Sequence, residues 1–276
     1  PNDLPKVWTM FNLNNGSFYA LYVNFTGTYW NGVQILEWVN ATKQFNVGES
    51  YSPDGTNNPI VNTGRNVRSN INKDMYYTSA LPYPTPSSLG YSTFQFVNFT
   101  ELGTYTTANI TAGDVYAEPD VINFYYNESS GEDYYYAIIS ERNSDNQFGS
   151  YSWDSGKTWG SLIDTDTDYE GMNGMINISD NDYMQCNRHV LRGTLQCAFA
   201  WNVTDDMTFT WTDKTTLSDY VGNSGSHVNY FNYNSTHIYV SYYTHYTDFE
   251  VDYKLFKYRD TAWTPIGSHE ENETFE

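Results

Sequence analysis

The sequence predicts an all-β fold built from repeated four-stranded antiparallel units, and three observations carry that expectation. Aromatic residues make up 18% of the 276 residues, 27 of them tyrosines, and runs rich in Thr, Asn, Tyr and Val suit half-buried strands better than helices. No amphipathic helical stretch interrupts them. The segment Ser152-Trp153-Asp154-Ser155-Gly156-Lys157-Thr158-Trp159 reads as a strand, a tight turn and a returning strand. The third observation is that comparable strand-and-turn segments recur roughly every 55 residues along the chain.

The turn is the best-defined element. Asp154 can cap backbone N–H groups across it and Gly156 supplies positive φ, while Trp159 is expected to start the next strand as a large apolar anchor. On the placement after a third strand that the family resemblance given below implies for this turn, equivalent third strands are predicted at Gly32 to Trp38, Tyr91 to Val97, Gln147 to Trp153, Leu195 to Trp201 and Asp252 to Tyr258. Their starts are 59, 56, 48 and 57 residues apart. Each corner is followed by an aromatic: Phe45, Tyr105, Trp159, Phe209 and Trp263.

The preceding hairpins recur in step. Second strands are predicted at Ser17 to Val23, Met75 to Leu81, Asp133 to Ile139, Tyr183 to Arg188 and His237 to Tyr243. First strands are predicted at Val7 to Leu13, Arg65 to Ile71, Asp120 to Tyr126, Gly174 to Asp180 and His227 to Tyr233. This register sets Cys186 and Cys197 on adjacent antiparallel strands joined by the loop from His189 to Gly193. Such positions are within disulfide reach, and two small buried thiols are the alternative.

The pattern Ser-x-Asp-x-Gly-x-Thr-Trp, on Ser152, Asp154, Gly156, Thr158 and Trp159, resembles the Asp-box, or bacterial neuraminidase repeat, of sialidase-type β-propellers. The resemblance implies a propeller in which the box joins the third and fourth strands of a blade, away from the active site. Five blades of four antiparallel strands, approximately 5–58, 59–115, 116–170, 171–222 and 223–270, account for the chain as a single domain over 1–276. Six blades, as in the true sialidases, would require about 46 residues each or a missing terminal blade, and a β-sandwich is the architectural alternative. The stiff loop Pro82-Tyr83-Pro84-Thr85-Pro86 makes no domain linker.

The net charge of −20, from 33 acidic against 13 basic side chains, disfavours nucleic acid and anionic membrane surfaces as partners. No apolar run reaches transmembrane length, so direct membrane insertion is not expected. Pro1 is expected to follow a removed leader or a boundary of the expressed chain. Ten Asn-x-Ser/Thr triplets argue for export: Asn15, Asn24, Asn40, Asn98, Asn109, Asn127, Asn177, Asn202, Asn234 and Asn272. On the predicted register Asn15, Asn127 and Asn234 fall in first-to-second loops, and Asn40, Asn98 and Asn202 in third-to-fourth turns, which lie on one propeller face. Asn24 and Asn109 map to the other face or an edge and Asn272 to the tail. Asn177 falls inside an inner strand without room for a glycan.

Propeller enzymes place catalytic groups where first strands begin and second-to-third loops meet the central channel. The candidates there are Arg65, Glu118, Asp120, Glu141, Arg142, Asp168, Glu170, Arg188 and Arg192. Likeness to a sialidase implies three arginines gripping a carboxylate, a role that Arg65, Arg142 and Arg188 could fill, but the Phe/Tyr-Arg-Ile-Pro segment of that family is absent. A five-bladed glycoside hydrolase would use three carboxylates, with Asp3, Asp120 and Glu170 as conceivable members. The five histidines are scattered, and Asp164-Thr165-Asp166-Thr167-Asp168 lacks the Gly and Glu of a Ca²⁺ loop. No metal and no cofactor is therefore expected. The sequence reading is a secreted or cell-surface N-glycoprotein acting as a structural, self-assembling or recognition module, with glycans, other surface proteins or further copies of itself as partners. An extracellular glycosidase is the rival.

Overall fold

The computed structural model describes the backbone over residues 6–12, 18–26, 29–51, 62–63, 68–69, 75–82, 92–101, 104–111, 116–141, 146–167, 169–170, 174–179, 181–189, 194–204, 209–218, 228–234, 237–243, 251–257 and 264–269. Side chains are described over 36–46, 119–140, 146–167, 174–179, 181–187, 194, 196–204, 209–212 and 215–216. Among these residues there is no helix, and the strands form five antiparallel sheets.

The first sheet has the order β1 (Lys6–Asn12), β2 (Phe18–Thr26), β3 (Tyr29–Val39), β4 (Gln44–Tyr51). In the second, β5 (Asn62–Thr63) and β6 (Arg68–Ser69) both pair with β7 (Met75–Pro82), which is followed by β8 (Ser92–Glu101) and β9 (Thr104–Thr111). The third runs β10 (Tyr116–Asn127), β11 (Glu132–Glu141), β12 (Gln147–Ser152), β13 (Ile163–Asp164). In the fourth, β14 (Tyr169–Glu170) and β15 (Met175–Ser179) pair with β16 (Asp182–His189), then come β17 (Thr194–Ala200) and β18 (Thr212–Ser218). The fifth is β19 (Val228–Asn234), β20 (His237–Tyr243), β21 (Val251–Lys257), β22 (Thr264–His269). The first, third and fifth are meanders in which sequential strands are neighbours, and in the second and fourth two short segments share the place of the first strand.

Two first strands differ from the expected single run, and both differ in the same way. Thr63 pairs with Ser79 and Arg68 with Tyr76, so five chain steps oppose three. Glu170 pairs with Arg188 and Met175 with Gln185, again five against three. The register therefore shifts by two residues between the paired segments. Gly64-Arg65-Asn66 and Gly171-Met172-Asn173 lie between the paired segments in the sequence. Trp159 departs from expectation too: it does not open a strand, because β13 begins only at Ile163. Asn98 lies within β8, paired with Tyr76 and Thr106, and not in the corner, because the hairpin closes later where Glu101 pairs with Thr104.

The chain divides into two units, Pro1–Ala137 with Ser150–Leu162 and Ile138–Gly149 with Ile163–Glu276. In the first, β10 lies beside β5, β7 and β8, and Val121, Ile122, Phe124, Tyr135, Tyr136, Ala137 and Tyr151 are buried. In the second, β15 lies beside β19. First strands of consecutive sheets thus meet in each unit: β5 with β10, and β15 with β19. Along β16, Asp182 to Asn187 are all buried although successive side chains point to opposite faces, so both faces of that strand are covered.

Candidate functional site

The Ser152–Trp159 turn closes with the Lys157 amide donating to the Asp154 carbonyl at 3.2 Å. Its two central residues, Ser155 at φ 58° and Gly156 at φ 80°, both take the left-handed region, the pattern of a I′ corner. A non-glycine at such a position needs compensation. Ser155 gets it from the start of β11: its amide donates to the Asp133 carbonyl at 3.0 Å, its hydroxyl accepts from the Asp133 amide at 3.0 Å, and it donates to Glu132.

Asp154 is the hub. It accepts from the Ser152 hydroxyl at 2.9 Å, the Thr158 amide at 2.9 Å and the Thr158 hydroxyl at 2.6 Å. Burial pushes its carboxyl up, but the hydrogen bonds from Thr158 and Ser152 outweigh it, so the group lies below its ordinary value of 3.8. Gly156 donates its amide to Ser152 Oγ at 2.9 Å, and the Trp159 indole N–H reaches the Gly156 carbonyl at 3.2 Å. Lys157 pairs with Glu132 at 2.7 Å. Hydrogen bonds from Lys157 and Ser155 hold Glu132 below its ordinary 4.5.

An aromatic cluster that the sequence reading did not single out sits at the mouth of this turn. Trp153 is 45% exposed. It stacks on Tyr151 at 5.4 Å and 3°, and meets Tyr134 edge-on at 5.0 Å and 86° and Phe124 at 5.8 Å and 84°. Such offset and T-shaped pairs are each worth about 0.5–1.5 kcal/mol beyond area burial. The signal was the two-residue alternation of Tyr134 with Tyr136 and Tyr151 with Trp153, which sets these rings on one sheet face. Asn127 adjoins them: its Nδ2 donates to the Tyr134 hydroxyl at 2.6 Å, and its Oδ1 accepts from the amides of Ser129 at 3.0 Å and Ser130 at 3.3 Å.

The predicted catalytic residues are distributed as follows. Asp120 lies on β10 and is 1% exposed, with Glu118 two residues before it on the same strand. Glu170 on β14 is the direct cross-strand partner of Arg188 on β16, so these two share a register position. Glu141 ends β11. Asp3, Arg65, Arg142, Asp168 and Arg192 lie outside the described residues, so no arginine trio is described.

Cys186 and Cys197 are joined by a disulfide across directly paired positions of β16 and β17, with Cα atoms 4.0 Å apart. Of the sequon asparagines, Asn40 and Asn202 are exposed in turns after β3 and β17. Asn127 ends β10 and Asn234 ends β19, each leading into a hairpin. Asn24 is in β2, Asn109 in the edge strand β9, and Asn98 in β8. Asn177 is in the first strand β15, half-buried and hydrogen-bonded to Tyr183, whose hydroxyl burial pushes up to about 12. Asn15 and Asn272 lie outside the described residues.

No protein-family model matches the chain, and no curated protein matches it in sequence. Among solved structures, a protein of unknown function from Dyadobacter fermentans superposes with a TM-score of 0.63 at 14% identity, covering 86% of this chain and 71% of that one. A sialidase from Streptococcus pneumoniae gives 0.55 at 13% identity over 78% of this chain and 32% of its own. A Trypanosoma rangeli sialidase gives 0.52 at 13% identity over 99% and 50%. At these identities the likeness shows the fold alone, an all-β architecture of the β-propeller type. The chain spans 32% of the length of the first of those sialidases and 50% of the second.

Proposed function

We propose that this chain is a secreted or cell-surface N-glycosylated β-propeller of five blades, serving as a structural or recognition module for glycans, surface proteins or further copies of itself. The observation that supports the propeller reading is the succession of five antiparallel sheets along the chain, together with the likeness to propeller-type structures. The hydrogen-bonded turn at Ser152–Trp159 supports its reading as an Asp-box, a structural corner. The disulfide supports an oxidising compartment. Asn40 and Asn202 in exposed turns support glycan attachment at the corners. Asp120, at 1% exposure, is withdrawn from solvent in a way that favours a structural carboxylate over a catalytic one.

The extracellular glycosidase reading is favoured by one observation, the register that sets Glu170 opposite Arg188, in a fold shared with sialidases. Turnover assays on sialosides, arabinosides and fucosides separate the two readings, with Asp120→Asn and Glu170→Gln as controls. The module reading expects no turnover from the wild type and binding on a glycan array or concentration-dependent assembly in size-exclusion chromatography. Turnover that disappears in either variant contradicts it.

A further inference from the structure

Trp153 poses a question that the fold leaves unanswered. The Trp153 indole is 45% exposed and packs against Tyr151 and the rings of Tyr134 and Phe124, so it offers a flat apolar face to a neighbouring group. The cluster adjoins Asn127, the acceptor of the triplet Asn127-Glu128-Ser129. The Asn127 carboxamide does not swing freely. Its oxygen is fixed by the Ser129 and Ser130 amides, which aims the nitrogen at the Tyr134 hydroxyl 2.6 Å away. The Tyr134 ring is in turn 5.0 Å from that of Trp153. Anything attached to Nδ2 therefore leaves from a point within hydrogen-bond reach of the Tyr134 hydroxyl, the other N–H position being the one open to it. The turn itself, Glu128 to Gly131, is exposed, so a transferase can reach it.

We propose that Asn127 carries an N-linked glycan whose first N-acetylglucosamine lies over the Tyr134 and Trp153 rings, so that a sugar attached to this chain covers the exposed indole. The proposal rests on the reading of the chain as an exported N-glycoprotein. In the transfer, the bond from Asn127 Nδ2 to C1 of the sugar forms as the C1–O bond to a polyprenyl-diphosphate-linked oligosaccharide donor breaks. The diphosphate leaves with the electron pair, and the displaced amide proton passes to a base of the transferase. One N–H remains on Nδ2, enough to keep the bond to Tyr134. The C–H face of the pyranose then meets the aromatic surface while its hydroxyl and acetamido groups stay in water.

The test uses the full chain expressed in a glycosylating eukaryotic cell. Site occupancy is read by mass spectrometry, and thermal midpoints are compared for wild type, Ser129→Ala, Trp153→Ala and the double variant. Ser129→Ala abolishes the acceptor triplet while retaining Asn127 and its backbone donors. The expected result is an occupied Asn127, a midpoint lowered by about 2–4 °C in Ser129→Ala, and no such drop when Trp153→Ala is already present. Trimming the wild-type glycan to a single N-acetylglucosamine should leave the midpoint unchanged. If Trp153→Ala does not fold, Trp153→Leu replaces it, keeping an apolar side chain without a flat face. An occupied Asn127 with the same drop in both backgrounds overturns the proposal, as does an empty Asn127 beside occupied Asn40 and Asn202. Empty sites throughout the chain would overturn the parent reading as well.

Discussion

The third and fourth sheets fasten the corner after their third strand in opposite ways. In the third, the anchoring carboxylate belongs to the corner itself: Asp154 gathers Ser152 and Thr158 within eight residues. In the fourth it comes from elsewhere. Asp182, at the head of β16, accepts from the Asn202 amide at 2.8 Å and the Ser179 hydroxyl at 2.9 Å, while the Val203 amide reaches the Asn181 carbonyl at 2.8 Å. Asn202 takes the left-handed region at φ 52° without a glycine beside it. The fourth sheet adds a covalent bond between β16 and β17 that the third lacks. The third corner thus carries its own carboxylate and adds ties from Ser155 and Lys157 to the start of β11, whereas the fourth takes its carboxylate from the head of β16 and has the disulfide behind it.

The largest expected effect is therefore loss of the Cys186–Cys197 bond. With a sequence separation of 11, the chain-entropy account assigns the bridge about 3 kcal/mol. The Cys186→Ser, Cys197→Ser double variant should lose that amount in denaturant unfolding, and hydrogen exchange should accelerate first in β16 and β17. Next comes Asp182→Ala, which strands the Asn202 amide beside a buried site and should cost about 2 kcal/mol. Asp154→Ala comes third at about 1 kcal/mol, because its donors are exposed enough for water to replace it. An Asp154 penalty exceeding that of Asp182 would reverse the contrast between local and borrowed anchoring.

The smallest effect is on acid stability. Asp154 and Glu132 both lie below their ordinary values of 3.8 and 4.5 in the folded chain. A depressed carboxyl binds protons more readily when unfolded, so its stabilisation is present above the ordinary value and lost as pH falls through the folded one. Melting curves followed downward from about pH 5 should lose stability in that window, with a shallower slope for Asp154→Asn. An unchanged slope would mean that the turn carboxylate contributes no linkage.

The same contrast governs what the sequence could tell. The Ser152–Trp159 corner was legible because all its partners save those on β11 lie within eight consecutive residues. β20 was also legible, since His237 to Tyr243 matches its observed limits. The Asp182 anchor was not, because a carboxylate 20 residues from Asn202 leaves no local pattern. The two-residue register shifts in the first strands of the second and fourth sheets were not legible either, because a register is set by the partner strand. Trp159 was misjudged because its aromatic character suits a strand equally well as a turn: it is half-buried, tied by its N–H to Gly156 and stacked on Tyr135 at 6.5 Å. Of the candidate catalytic set, Glu170 and Arg188 are joined by pairing between β14 and β16, and strand register is a non-local property.

The proposed propeller depends on one four-stranded unit copied around an axis with its corners pinned. A crystallographic electron-density map tests it most directly by counting sheets about that axis. Five radially arranged four-stranded sheets, with Ser152–Trp159 at the corner leaving β12, are the predicted result. Two sheets stacked face to face, or a chain that closes only with a sixth blade from another copy, would contradict it.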